Sequence, residues 1–231
     1  MGFARYALYY LPPTEAGWTQ AATAWLGWDI HSGAPVAQPE PDGLPRPLSE
    51  ITEAPRKYGL HATIRPPFAL ADGQTQDDLE EACATLCNGL EPVSVPGLQI
   101  TRLGRFLALC PAEQPQELTS LAANAVEALN RFRSEMSDAE LARRRGRGLS
   151  AEREANLTRW GYPHVMKAFR FHITLTGRLD KSDLSATEAV LQHALGPLPD
   201  ALSIRELTLV GEDAQGCFHT LRSFPLGRAT V

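Results

Sequence analysis

The sequence has few cysteines and no long apolar run, and it carries no excess of positive charge. Its four cysteines include no C-x-x-C pair, so we predict neither a disulfide framework nor a metal site. No stretch approaches the ~20 apolar residues of a membrane helix, and the short apolar N-terminus lacks a basic leader. We therefore expect a cytoplasmic protein with no membrane partner. The 22 basic and 27 acidic residues argue against a stable complex with long nucleic acid but permit a small basic pocket.

Apolar residues alternate in some segments and recur at helical spacing in others, which indicates a mixed α+β chain. The aromatic run 5–11 is typical of a strand that Pro12 ends, and residues 32–49 are rich in proline and glycine, as in a loop. We predict helices at 14–27, 75–90, 114–135, 150–161 and 183–195, and strands at 58–68, 93–110, 169–178, 202–210 and 217–224.

Two parts of the chain resemble each other. Leu60-His-Ala-Thr-Ile matches Phe171-His-Ile-Thr-Leu, and each segment is followed by a helix and then a similar strand. In those later strands Ser94 matches Ser203, at nearly the same distance from the histidine before it. The repeat predicts one bilobal domain, residues 1–231, in which a local twofold axis relates two lobes that each contribute one H-x-T strand.

The repeated H-x-T residues suit phosphate chemistry. On a strand, side chains at i and i+2 share a face, so His61 points with Thr63 and His172 with Thr174. If the lobes face each other, two imidazoles flank one ligand. One histidine can take a proton from the attacking hydroxyl while the other protonates the leaving oxygen, and the threonines can bind the remaining phosphate oxygens. We expect this chemistry to need no metal or cofactor.

Four residues near the motifs are candidate substrate ligands. Arg65 continues the strand parity of His61, so we expect its guanidinium to neutralise phosphate charge. Lys57 and Tyr58 precede the first motif and Tyr162 precedes the second, and all three are candidates for holding substrate.

Residues 137–161 read as an arginine-rich helical insertion. The run Arg143, Arg144, Arg145 and Arg147 is typical of a solvated helix face, and the alternative is a lid whose arginines hold phosphate. A further helix is predicted to begin at Ser150 and to end at Gly161.

Taken together, the motifs resemble the 2H phosphoesterase superfamily, named for its two H-x-T motifs. The longer segments Tyr58-Gly-Leu-His-Ala-Thr-Ile-Arg-Pro-Pro-Phe and Trp160-Gly-Tyr-Pro-His-Val-Met look like the branch found beside bacterial phosphonate (C–P lyase) genes. The resemblance implies two antiparallel sheets with flanking helices around a central cleft, and catalytic roles for His61 and His172. It also implies hydrolysis of a cyclic phosphate of a phosphorylated ribose, such as 5-phosphoribosyl 1,2-cyclic phosphate.

Two alternatives stay open at the level of sequence. The same chemistry could act on RNA ends that carry a 2′,3′-cyclic phosphate or a 2′-5′ linkage. The cleft could instead belong to a non-catalytic phosphate or nucleotide sensor. The two halves are too similar to decide which histidine is the acid and which oxygen leaves, and the sequence leaves the oligomeric state open.

Overall fold

A computed structural model describes residues 2–145 and 148–227. The strands are β1 (Arg5–Tyr10), β2 (Trp28–Asp29), β3 (Ala34–Pro35), β4 (Ala62–Phe68), β5 (Val93–Pro96), β6 (Leu98–Leu103), β7 (Phe106–Pro111), β8 (Ile173–Thr174), β9 (Ala201–Ile204), β10 (Glu206–Glu212) and β11 (Phe218–Pro225). The α-helices are α1 (Gly17–Leu26), α2 (Leu48–Ile51), α3 (Glu53–Arg56), α4 (Gln76–Asn88), α5 (Gln116–Ala128), α6 (Asp138–Arg145), α7 (Ala151–Trp160) and α8 (Leu184–Leu195), with 3-10 helices at Asn130–Phe132 and Met166–Ala168.

The main sheet has seven strands in the order β11-β10-β1-β4-β8-β7-β6, and each of its strand pairs is antiparallel. The mixed α/β class and the antiparallel strands are confirmed. The two halves, for which two antiparallel sheets were expected, are joined edge to edge, because β4 and β8 pair at Ala62 and Ile173. Two short sheets accompany it, β2-β3 and β5-β9.

The strand order agrees with the sequence repeat. When the elements inserted before β4 (β2, β3, α2 and α3) and before β8 (α6, α7 and the 3-10 helices) are left out, β1-α1-β4-α4-β5-β6 has the same order of elements as β7-α5-β8-α8-β9-β10. In the main sheet, β4 and β8 are neighbours, and β1 and β7 lie on their outer sides. Matching residues also pair with each other, Ala62 with Ile173 and Ser94 with Ser203. These are the pairings that a local twofold axis between β4 and β8 would give.

The second H-x-T strand is much shorter than predicted. Residues 169–178 were expected to be one strand, but only Ile173–Thr174 has strand pairing. The Gln114 side chain accounts for part of the difference, because it accepts a hydrogen bond from the Phe171 N–H at 2.8 Å and donates one to the Phe169 carbonyl at 3.3 Å. A side chain therefore satisfies backbone groups that a neighbouring strand would otherwise pair.

One continuous apolar core holds the sheet and the longer helices together. It includes Trp25 of α1, Leu79 of α4, Leu121 of α5 and Leu191 of α8, each at most 2% exposed. A smaller cluster on the opposite face of β1 contains Tyr9. Helix α4 begins where predicted, with a capping box in which the Thr75 hydroxyl accepts from the Asp78 N–H at 3.1 Å.

The arginine-rich insertion forms α6 and α7. Helix α7 has the predicted ends, with the Ser150 hydroxyl accepting from the Arg153 N–H and Gly161 in the left-handed conformation at φ 78°. Helix α6 has no buried residue. Arg147 of the predicted run lies outside the described residues. In the described part of the chain, no helix is both long and apolar enough to cross a membrane.

Candidate active site

The two H-x-T motifs line one cavity. His61 precedes β4, and His172 precedes β8, the strand beside it. Both histidines, together with Thr63 and Thr174, line a cavity of about 1270 Å³. On the far side of the second motif, the Trp25 indole donates to the Leu175 carbonyl at 3.0 Å and ties that motif to α1. The sheet therefore brings together two motifs that lie more than a hundred positions apart in the sequence.

The two imidazoles have the same local hydrogen bond. Nδ1 of His61 lies 3.0 Å from the Gly59 carbonyl oxygen, and Nδ1 of His172 lies 2.8 Å from that of Arg170. A carbonyl can only accept, so Nδ1 of each ring carries the proton. The other nitrogen, Nε2, then gains and loses the titrating proton in both rings. This is the tautomer that a proton-transfer pair needs, with one basic nitrogen available on each side.

His61 is held from two further directions. Its ring stacks on that of Tyr9, with the ring centroids 3.9 Å apart and the planes 25° apart. Its Nε2 lies 3.1 Å from the Thr63 hydroxyl, which can donate to the neutral ring. Burial lowers the pKa of His61 to about 4, against the raising effect of the Gly59 carbonyl, and the charge of His172 lowers it further. His61 is therefore neutral at pH 7 and available as a base.

His172 sits in a related but milder environment. Burial lowers its pKa from 6.5, while the carbonyl bond to Arg170 opposes that fall and the Arg170 charge adds to it. A third cavity histidine, His164, also has a lowered pKa, through burial and the charges of Arg153 and His172. A bound phosphate would favour the protonated form of either ring, since an anion stabilises a nearby positive charge.

Thr174 of the second motif and Thr176, two residues later, differ in exposure. Thr174 lines the cavity and is partly exposed to it. Thr176 also lines the cavity, but it is only 1% exposed, and its hydroxyl accepts a hydrogen bond from the Leu107 N–H at 3.0 Å. Thr174 is thus available for a ligand, whereas Thr176 serves the contact between β7 and the segment after β8.

The cavity is strongly basic although the whole chain is acidic. Its lining includes eight Arg or Lys side chains and no Asp or Glu among the described residues: Arg5, Arg102, Arg143, Arg144, Arg153, Lys167, Arg170 and Arg178. Arg5, Arg102, Arg143 and Arg144 form ion pairs with carboxylates behind the wall. Within the part of the chain that is described, the other four form none. Such a lining favours an anionic ligand. No group of three or more His, Cys, Asp or Glu side chains that could hold a metal occurs in residues 2–145 and 148–227.

The prediction that Arg65 extends the catalytic face is wrong. The pairing between β1 and β4 shifts register, so Thr63 lies opposite Tyr9 but Arg65 lies opposite Leu8. Paired residues of an antiparallel sheet share a face, and Tyr9 and Leu8 point to opposite faces. The irregularity therefore reverses the parity of β4, just before Pro66. Arg65 is 1% exposed and is not among the cavity-lining residues.

The other predicted ligands divide between the cavity and the surface. Tyr58 and Tyr162 both line the cavity, and the Tyr58 ring lies 6.0 Å from that of His61. Lys57 is exposed and is not among the cavity-lining residues, so the structure does not support its predicted contact with substrate. Within the arginine run, Arg143 and Arg144 line the cavity.

Several cavity residues were not found from the sequence. The sequence places Tyr9 on the face of β1 opposite to Tyr6 and Tyr10, but it did not indicate which of the two faces meets the cleft. Arg170 could have been found, because it lies two positions before His172 and so shares its strand parity. Arg5 and Arg102 come from distant strands and carry no local signal.

The fold and the site define a class, a mixed α/β protein with a basic cleft between two H-x-T histidines. The chain belongs to the family DUF1045, described as a protein of unknown function, whose family model matches residues 63–219. That match includes the second motif complete and begins at the threonine of the first.

The chain also has curated relatives. A protein of Janthinobacterium sp. (strain Marseille), named ribose 1,5-bisphosphate phosphokinase PhnN, is 36% identical over 220 residues, which cover 92% of this chain and 48% of that protein. A protein of Laribacter hongkongensis (strain HLHK9) with the same name is 37% identical over 181 residues, 78% of this chain and 42% of that protein. The chain spans about half the length of the curated relatives it matches.

Solved structures are similar at lower identity. The crystal structure of E. coli LigT complexed with 3′-AMP is 15% identical with a TM-score of 0.47, covering 96% of this chain and 98% of that one. The crystal structure of TT0787 of Thermus thermophilus is 15% identical with a TM-score of 0.48, covering 97% of this chain and 100% of that one.

Proposed function

We propose that the protein is a metal-independent cyclic phosphodiesterase that opens the cyclic phosphate of a small phosphorylated ribose. One observation carries the proposal: two histidines with the same Nδ1-protonated tautomer line a single cavity whose described lining is basic. A phosphate diester is anionic, and its hydrolysis needs one proton removed and one supplied, which the two Nε2 atoms can do.

We assign the base to His61 and the acid to His172. The pKa of His61, at about 4, keeps its Nε2 unprotonated at neutral pH. That nitrogen takes a proton from water as the water oxygen bonds to phosphorus. The bond from phosphorus to one ring oxygen breaks, and protonated His172 supplies the proton that this oxygen gains. The product is a phosphate monoester and a free hydroxyl.

Two threonines complete the assignment. Thr63 and Thr174 occupy matching positions in the two motifs, and both line the cavity. The Thr174 hydroxyl can donate to a non-bridging oxygen of the reacting phosphate, where negative charge builds up in the transition state, and the Thr63 hydroxyl can do the same once it leaves Nε2 of His61. Tyr9 positions His61 by stacking on its ring.

The substrate class is supported by the relatives and by the motif resemblance. The relatives are named for a ribose that carries two phosphates, and the longer motifs resemble the branch found beside bacterial phosphonate genes. Because the chain matches only about half of each relative, we do not assign it the kinase activity in their name. A cyclic phosphate of a phosphorylated ribose within phosphonate catabolism fits both the names and the cleft.

The substrate class can be tested by phosphorus NMR with EDTA present. We would offer 5-phosphoribosyl 1,2-cyclic phosphate, a 2′,3′-cyclic nucleotide and a cyclic-ended RNA oligomer at equal concentration. We expect preferential hydrolysis of the sugar phosphate, and the product signal will identify the oxygen that leaves. Preference for the RNA oligomer would replace the proposal with RNA end processing. Binding of all three without turnover would favour a sensor.

The pH dependence of kcat/KM follows from the two histidines. In the free enzyme, activity requires His61 unprotonated and His172 protonated, so kcat/KM rises with pH through the pKa of His61 and falls through that of His172. The first is about 4 and the second lies below 6.5. We therefore expect an acidic optimum between these values. An optimum above pH 8 would contradict the assignment.

A further inference from the structure

Arg65 is a buried charge without an acidic partner among the described residues. It is 1% exposed, and its Nη1 donates to the Pro66 carbonyl at 3.3 Å. Its Nε and Nη2 are buried, and neither has a hydrogen-bond partner within residues 2–145 and 148–227. In a guanidinium group these two atoms form the side-on fork that binds a carboxylate or phosphate with two parallel hydrogen bonds. The Phe68 ring, 4.7 Å from Cζ, offers only a cation–π contact.

Two more guanidinium groups meet beside Gly161. Arg144 lines the cavity and donates from Nη1 to the Gly161 carbonyl at 3.0 Å. Arg133 also packs against Gly161, since a Cβ atom at that position would lie 2.8 Å from its Cδ and 3.0 Å from its Nε. Tyr162, the next residue, lines the cavity with Arg144 over its ring. The group formed by Arg65, Arg133 and Arg144 is called the arginine cluster below.

Electrostatics agree with this placement. Arg133 forms a bridge with Leu70, just beyond the end of β4, the strand that carries Arg65. Burial lowers the pKa of Arg65 to about 9, and the charges of Arg133 and Arg144 contribute. Arg65 is still charged at pH 7. The acidic groups that act on the cluster are Glu140, 2.8 Å from Arg144, and Glu135, which acts on Arg133. Among the described residues, two carboxylates thus act on the three guanidinium groups, and neither forms a hydrogen bond with Nε or Nη2 of Arg65.

We propose that the arginine cluster is a second anion subsite beside the two-histidine cleft, and that it binds the non-reacting phosphate monoester of the substrate. The inference rests on the proposed function for the identity of that phosphate. A dianionic phosphate supplies the acceptors that the buried fork lacks and offsets the excess of positive charge. Ile64 and Pro66, on either side of Arg65, both line the cavity, so Arg65 lies behind the cavity wall, whereas Arg144 is part of that wall.

Access requires movement of the wall, and α6 is the element best suited to move. None of its described residues is buried, and Arg144, which lies on it, connects it to Gly161. On this proposal, Arg144 leaves the Gly161 carbonyl and turns to the ligand phosphate, and the helix that carries it moves with it. The arginine run of the insertion then acts partly as a solvated face and partly as a ligand.

The kinetic test compares two substrates that differ only in the second phosphate. These are 5-phosphoribosyl 1,2-cyclic phosphate and ribose 1,2-cyclic phosphate. We expect Arg65→Met and Arg133→Gln to raise KM for the first at least about tenfold, the loss expected for one charge-assisted contact, with little change in kcat. KM for the second should not change. Arg131→Gln, an exposed neighbour in the same segment, is the matched control and should behave as the wild type. Equal KM effects on both substrates would overturn the proposal.

Binding distinguishes failure of this inference from failure of the proposed function. If the wild type hydrolyses neither substrate, the proposed function fails, and calorimetry with ribose 5-phosphate still tests the subsite. Affinity at least about tenfold weaker in Arg65→Met and Arg133→Gln than in Arg131→Gln would support it. Equal affinity in all three would overturn it.

Thermal unfolding distinguishes loss of the subsite from misfolding of the variant. Removal of a buried charge should raise the melting temperature of ligand-free Arg65→Met, and ribose 5-phosphate should stabilise it less than the wild type. A lower melting temperature together with unchanged stabilisation by the ligand would contradict the subsite.

Discussion

Acidification should destabilise the protein through His61 in particular. The pKa of this ring falls from 6.5 in the unfolded chain to about 4 in the folded protein, because the folded environment disfavours the charged form. Between these two pH values the unfolded state binds more protons than the folded state, so the free energy of unfolding decreases as pH falls. The difference corresponds to at most about 3 kcal/mol, fully lost below pH 4 and fully retained above pH 6.5.

The effect can be isolated by difference. Urea unfolding at several pH values from about 7 to about 4 would be measured for the wild type, His61→Gln and His193→Gln, an exposed histidine of α8. We expect the wild type and His193→Gln to lose about 3 kcal/mol more than His61→Gln across this range. Carboxylates titrate in all three proteins and cancel in the comparison. Parallel curves for the wild type and His61→Gln would refute the reasoning, because they would mean that His61 titrates alike in both states.

Two matched pairs test the rest of the site. Thr176→Val should lower the free energy of unfolding by about 1–3 kcal/mol, because it leaves the buried Leu107 N–H without an acceptor. Thr174→Val should lower kcat without loss of stability. Urea unfolding and turnover measurements separate the two effects, and the reverse pattern would contradict the roles assigned here. Gly161→Ala and Gly73→Ala share a φ of 78°, but only a Cβ at Gly161 meets another described residue, Arg133. Backbone strain should lower the free energy of unfolding by about 1 kcal/mol in each variant, and the contact with Arg133 should lower it further in Gly161→Ala. Equal shifts in melting temperature would show that the Arg133 side chain moves aside without cost.

The part of the fold that the sequence predicted best is the repeat. The alignment matched His61 with His172 and Ser94 with Ser203, and the structure pairs Ala62 with Ile173 and the two serines with each other, although the alignment did not predict the pairing itself. Repeats are readable because equivalent positions carry equivalent side chains. The joining of the two halves into one sheet could not be predicted from the sequence, since it depends on a single pair of residues between β4 and β8.

The alternation of side chains between the two faces of a strand gave correct predictions at the site up to the point where β4 becomes irregular. It placed His61 with Thr63 and separated Tyr9 from Tyr10, but it failed at Arg65, where the register with β1 shifts. A shift of one residue reverses the face of every later side chain, and no local residue type announces it. Pro66 did indicate irregular pairing at this point of the strand, because proline has no N–H to donate to a neighbouring strand.

The charge of the cavity could not be predicted from composition. Arg5, Arg102, Arg153 and Arg178 reach it from a strand, a second strand, a helix and a loop. A net charge of −5 describes the whole chain and does not show where the basic side chains meet. Only the tertiary fold brings them to one wall.

The central claim, that two histidines transfer the protons of a phosphodiester hydrolysis, is tested most directly by single substitution of each. Hydrolysis of 5-phosphoribosyl 1,2-cyclic phosphate would be followed by phosphorus NMR, with EDTA present, for the wild type, His61→Ala, His172→Ala and His164→Ala. We predict that kcat falls at least about a hundredfold in the first two variants, the size of one general acid or base contribution, and much less in His164→Ala. Turnover within a few-fold of the wild type in either His61→Ala or His172→Ala, or turnover lost on adding EDTA, would contradict the account.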